Sequence, residues 1–188
     1  MRPSDCALLV TVPLQRPEFL ADLAAGTDFL TQFVASQRSR DIDVLWATYD
    51  ASAGVAAASA ERAGRRGVTV VRRAALADFA RCLNDFQVVT LVAHWRAGGL
   101  AVEFADGLAP IDRVVAAVPQ TFDGVLDLTI CNARPLAQEI RRRCPRGLII
   151  DNPFPATLDM GLEFYNATMD LVQRRQMPYQ DAVLGVHH

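Results

Sequence analysis

One histidine and one cysteine in this chain stand where a nucleophile and its base would. His94 follows the apolar run Val88-Val89-Thr90-Leu91-Val92-Ala93, and Cys131 follows Val125-Leu126-Asp127-Leu128-Thr129-Ile130. A thiolate attacks an acyl carbon, and an imidazole within reach can take the thiol proton and hand it to a leaving amine. His94 is the only histidine outside the terminal pair His187-His188, which reads equally as native sequence or as a tag remnant. Asp151 closes a third apolar run and offers a carboxylate at the same kind of position. A plainer reading stands beside this one: Cys131 as a small buried hydrophobe and His94 as an ordinary polar residue at a strand end.

Whether these side chains meet depends on the elements that carry them. Short runs rich in Val, Ile and Leu predict strands over 6–12, 43–48, 68–71, 87–93, 125–130 and 148–150. Between them, three- and four-residue apolar spacing predicts helices over 17–36, 51–66, 74–84, 111–118, 135–143 and 156–175, with a last segment from Pro178. Residues 100–104 alternate apolar and polar before the turn Ala105-Asp106-Gly107, which predicts a small side hairpin. Strands alternating with helices build a mostly parallel sheet covered on both faces. Right-handed crossovers bring every strand's carboxyl end to one edge, where ligands bind. Neighbouring strands lie about 4.8 Å apart, so side chains leaving two such ends can face each other.

Composition narrows the setting. A hydrophobic content of 51% is enough to cover both faces of a sheet, and the length suits one domain over residues 1–188. A formal net charge of -2 is too balanced to predict a nucleic-acid or anionic-membrane partner. The positive charges are all arginine; the clusters Arg141-Arg142-Arg143 and Arg174-Arg175 read as solvated helix faces. No apolar run reaches the roughly 20 residues of a membrane span, and 6–12 is too short for a signal peptide, so the expected location is the cytoplasm. Cys6, Cys82, Cys131 and Cys144 show neither CxxC pairs nor metal-ligand spacing, which predicts reduced thiols and no metal.

On these residues the chain resembles a known family. Val88-Val89-Thr90-Leu91-Val92-Ala93-His94 resembles the histidine strand of the CHAT domains, bacterial relatives of the caspases. Leu126-Asp127-Leu128-Thr129-Ile130-Cys131-Asn132-Ala133 resembles their cysteine strand. The hairpin and helix over 100–118, the strand over 147–152, and Phe164-Tyr165 with Ala182 are similar to elements placed there in that family. The likeness covers residues 87–186; earlier residues share only the strand–helix order. It implies a caspase-like α/β fold: a three-layer sandwich on a mostly parallel central sheet, with a small side hairpin. It implies peptide-bond hydrolysis, with His94 as general acid and base, Cys131 as nucleophile, and no cofactor. It also implies a protein or peptide substrate in a bacterial defence or regulated-proteolysis system, a separately encoded regulatory protein, and pairing of two copies through an edge strand.

One position departs from the pattern. The family has glycine directly after its histidine, where the backbone N–H helps hold the oxyanion, and this chain has Trp95, with Gly98-Gly99 only later. Oxyanion stabilisation is worth several kcal/mol. A catalytically inactive caspase-like scaffold or partner-binding module is therefore the alternative reading. A nucleotide-binding doubly wound domain ranks behind both, because no glycine-rich loop follows a predicted strand. For substrate contacts, Asp151 is the first carboxylate that could take a basic side chain, with Asp127 and Asp159 behind it. Trp95 is a candidate wall for a bound peptide. Each aspartate could equally be a cap or turn acid.

Overall fold

The computed structural model describes residues 2–96, 100–152 and 157–186. A 3-10 turn at Pro3–Asp5 leads into β1 (Cys6–Val10), then α1 (Arg16–Ala25), α2 (Asp28–Ser36) and α3 (Ile42–Arg65). Next come β2 (Thr69–Arg72), α4 (Leu76–Asp85) and β3 (Val88–Val92). The hairpin strands β4 (His94–Arg96), β5 (Ala101–Phe104) and β6 (Gly107–Pro110) follow, then α5 (Ile111–Ala117). The chain continues through β7 (Val125–Thr129), α6 (Arg134–Arg143), β8 (Leu148–Asp151), α7 (Leu158–Arg175) and α8 (Tyr179–Val186).

Five strands form the central sheet in the order β2-β1-β3-β7-β8, every neighbouring pair parallel. The three hairpin strands form a separate antiparallel sheet. This is the expected α/β architecture with its side hairpin. Strands β1, β3 and β7 are buried on both faces, and alternation sorts their side chains between two cores. Ala7, Leu9, Val89, Leu91, Leu126 and Leu128 pack with Phe79, Val114, Leu136 and Ile140 of α4, α5 and α6. Leu8, Val10, Val88 and Val92 pack with Ala56, Ala60, Leu162, Met169 and Val183 of α3, α7 and α8. No helix among the described residues is long and apolar enough to cross a membrane.

Three expectations are corrected. Residues 43–48 read as a strand, but Asp43-Val44-Leu45-Trp46-Ala47-Thr48 form the first turns of α3. The Asp41 carboxylate caps this helix, accepting the N–H groups of Asp43 at 2.9 Å and Val44 at 3.1 Å. Leu45, Tyr49, Ala53, Ala56, Ala60 and Ala63 then bury one continuous stripe, which outweighs the β-propensity of the local run. The helix expected over 17–36 breaks in two at Gly26, whose φ of 67° lies in the left-handed region that closes α1. The arginine cluster of α6 is not simply a solvated face. Arg141 donates to the Ile149 carbonyl at 2.6 Å and pairs with Asp151 at 2.5 Å, and Arg143 Nε donates to the Val118 carbonyl at 2.7 Å.

Close approach of α7 to the sheet depends on Gly161. A Cβ there would meet the Thr129 methyl at 2.7 Å, well inside contact distance. Helix propensity alone favours alanine at an interior position by about 1 kcal/mol. The expected outcome for Gly161→Ala is nevertheless a loss of roughly 1–3 kcal/mol, the usual cost of overpacking. Urea unfolding of the two proteins measures it; an unchanged or raised midpoint would show that α7 has room to spare.

Candidate functional site

The parallel pairing of β3 with β7 sets Val92 beside Thr129. His94 and Cys131 each lie two residues beyond that pair, so they leave the sheet at equivalent positions. At Ala93 the chain quits the central sheet, and His94 opens the hairpin as the first residue of β4. Cys131 begins the turn between β7 and α6; the next residue, Asn132, holds a φ of 54°, a left-handed conformation that asparagine tolerates well.

Both side chains line one cavity of about 280 Å³. Its walls come from Val12 after β1, from Val92 to Trp95, from Thr129 and Cys131, and from Thr157 and Leu158 at the start of α7. Phe29 and Phe33 of α2 and Thr48, Tyr49 and Ser52 of α3 complete it. The cavity thus straddles the carboxyl ends of β1, β3 and β7, and β1 and β3 flank the point where strand order reverses. That crevice is where open α/β sheets bind ligands. Tyr49 steadies the wall by donating its hydroxyl to the Pro13 carbonyl at 2.6 Å.

His94 is half-buried against Phe29, their ring centroids 5.0 Å apart. Its Nε2 is buried with no hydrogen-bond partner among the described residues. Desolvation pushes its pKa below the usual histidine value, against the opposing pull of the Asp28 charge, so the imidazole is neutral near pH 7. A neutral imidazole is the form that can accept a thiol proton. Cys131 is half-buried at the cavity wall, whereas Cys6, Cys82 and Cys144 are buried and burial raises their pKa values, that of Cys6 to about 12. No disulfide forms among the described residues.

The proposed substrate contacts fare differently. Trp95 lines the cavity while packing into the core, only 7% exposed, so its bulk is stacked inward. Asp151 ends β8 but is committed to Arg141, with Arg134 at 3.8 Å, and it does not line the cavity. Asp127 is corrected outright as a substrate contact. It is buried in mid-strand, paired in register with Thr90, and accepts the Tyr179 hydroxyl at 2.7 Å, while Thr90 lies 3.2 Å from the same hydroxyl. Asp159 ties α7 to α3, accepting the Ser52 hydroxyl at 2.7 Å. Gly98-Gly99, Pro153, the start of the helix expected from residue 156 and the His187-His188 pair lie outside the described residues.

The sequence reading missed the second surroundings of His94. Glu103, its antiparallel partner on β5, is only 8% exposed and accepts the Phe29 N–H at 2.8 Å. It thereby caps α2, whose own N-cap Thr27 makes no side-chain hydrogen bond. Asp28 accepts Gln32 Nε2 at 2.7 Å and lies 3.4 Å from Arg96. One ligating atom from each of Asp28, His94 and Glu103 lies within 4.8 Å of the other two. A local spacing motif could not reveal this trio, which α2, β4 and β5 bring together. The one visible hint was a glutamate inside an apolar strand run. No family model matches the chain, and no curated protein matches its sequence.

Burial dominates the titration of Asp127, raising its pKa to about 6 against the hydrogen bonds from Tyr179 and Thr129. The folded state therefore holds a proton that the unfolded chain, with an aspartate pKa near 3.9, has already released. Stability supplied by this group is present below about pH 4 and is lost as pH rises through about 6. Asp127→Asn keeps an oxygen for Tyr179 and removes the titration. Denaturant unfolding at pH 4.5 and pH 7, conditions set by the two values above, should show wild type losing on the order of 2 kcal/mol relative to the variant. Parallel pH profiles for the two proteins would refute the assignment.

Proposed function

We propose that this chain is a caspase-like cysteine endopeptidase, working in the cytoplasm on a protein or peptide substrate. The observation that carries the reading is the placement of His94 and Cys131 at register-equivalent exits of adjacent parallel strands, on the wall of one cavity. The resemblance of the two strands to those of CHAT domains supports it, as does the neutral state of the His94 imidazole.

In this reading a peptide lies along the cavity with its scissile carbonyl at Cys131. The Cys131 thiol gives its proton to His94 as the sulfur bonds to the carbonyl carbon. Collapse of the tetrahedral adduct breaks the C–N bond, and His94 returns that proton to the departing amine. The remaining thioester is hydrolysed by water, whose proton passes through His94 back to the sulfur, releasing the acid. Trp95 keeps the backbone N–H that an oxyanion needs, and it lines the cavity while largely buried in the core. The apolar aromatic lining favours a hydrophobic side chain next to the cleaved bond. It does not favour the basic one expected from a free Asp151, because that carboxylate is held by arginine. A separately encoded protein regulator and pairing of two copies through an edge strand, β2 or β8, belong to the same proposal.

The alternative, a catalytically inactive partner-binding module of the same fold, draws on the Trp95 substitution. Iodoacetamide labelling separates the two. A peptidase site should alkylate at Cys131 ahead of buried Cys6, Cys82 and Cys144, and His94→Ala should slow Cys131 by roughly tenfold or more. Incubation with a proteome-derived peptide library should then yield new termini that vanish in Cys131→Ala. Cleavage surviving in a well-folded Cys131→Ala protein would end the peptidase reading. Cys131 labelling that is indifferent to His94 would favour the binding module.

A further inference from the structure

We propose that Asp28, His94 and Glu103 form a binding site for a divalent transition-metal ion, and that the ion, by occupying His94, holds the Cys131 centre inactive. The second half rests on the peptidase reading; the first does not. The three ligating atoms lie within 4.8 Å of one another, close enough for small side-chain rotations to bring all three onto one ion. They come from three separate elements, which meet because Glu103 caps α2 and neighbours His94 across the hairpin.

The carboxylates have structural partners of their own, and these explain why the acids are there. Glu103 accepts the N–H of Phe29, and Asp28 lies 3.4 Å from the guanidinium of Arg96. Neither partner explains the imidazole. His94 Nε2 is buried with no hydrogen-bond partner among the described residues, which is costly for a polar atom. Coordination would satisfy it. Two carboxylates and a neutral imidazole balance a 2+ charge, and one nitrogen with two oxygens suits Zn²⁺, Mn²⁺ or Fe²⁺ rather than a soft cuprous ion. Three protein ligands leave an open position for water. Arg96, whose side chain is 47% exposed, can swing into solvent as the ion arrives. Because His94 serves both the trio and the cavity, an ion on its nitrogen removes the base from Cys131.

The test uses the full chain with His187 and His188 replaced by alanine, so that the terminal pair offers no imidazole. Equilibrium dialysis against Zn²⁺ and visible absorbance with Co²⁺ read binding directly. One ion per chain is expected, lost in His94→Ala and weakened in Asp28→Asn and Glu103→Gln by more than about tenfold, the least that even outer-shell partners of a metal cost. Both carboxylate variants keep an oxygen for their N–H or guanidinium neighbours, and thermal melts verify that they fold. Cys131→Ala should bind as wild type does, and the Co²⁺ complex should lack a thiolate charge-transfer band. Binding that ignores the carboxylate variants, or that disappears with Cys131, would overturn the site. For the regulatory half, Zn²⁺ should slow alkylation of Cys131 in wild type but not in Glu103→Gln. If the ion binds as described yet alkylation is unchanged, the site stands and the inhibition falls. If Cys131 never alkylates ahead of the buried cysteines, the peptidase reading fails while the dialysis result still decides the metal site.

Discussion

The register of β3 against β7 is the constraint on which the rest of the molecule turns. Val92 beside Thr129 fixes the level at which both strands leave the sheet, and His94 and Cys131 follow at the same distance. A slip of one residue would turn one of them to the opposite face, because side chains alternate along a strand. Burial on both faces prevents that slip. Val89, Leu91, Leu126 and Leu128 fill one core, and Val88 and Val92 the other, so any shift exchanges two packed sets at once.

The hairpin then decides what His94 is. By leaving the central sheet at Ala93, the chain places the imidazole over α2 instead of leaving it exposed at the sheet edge. The same hairpin sends Glu103 to cap α2, which holds Phe29 against the His94 ring. One contact therefore does two things: it closes the aromatic wall of the cavity, and it sets two acids near a desolvated imidazole. Desolvation wins over the Asp28 charge in the titration of His94, and Arg96, 3.4 Å from the Asp28 carboxylate, offsets part of that charge.

Carboxylates elsewhere at the sheet are spent on architecture. Asp127 joins the central sheet to α8 through Tyr179, and Asp151 joins β8 to α6 through Arg141. The cavity is left with neutral polar groups, the hydroxyls of Thr48, Ser52, Thr129 and Thr157, beside His94 and Cys131. That distribution separates the charges that hold layers together from the neutral groups that line the cavity.

Much of this was legible in the chain itself. The doubly buried strands announced themselves as continuous Val, Leu and Ile runs, and their carboxyl ends pointed to His94 and Cys131, because alternation and handed crossovers are local rules. The side hairpin showed in its period-two pattern and its Asp106-Gly107 turn. Residues 43–48 misled, since a β-prone run says nothing of the stripe that Tyr49 to Ala63 would bury once α3 met α1, α2 and α7. Asp127 and Asp151 misled for a related reason: a carboxylate's role depends on its neighbour, and Tyr179 and Arg141 are brought to it by packing, Tyr179 from 52 residues away along the chain. Local residue types thus determined the sheet, its edge and the candidate pair upon it. The meeting of α2, β4 and β5 around His94 was decided only in three dimensions, because the forces that assemble it act between elements that the sequence keeps apart.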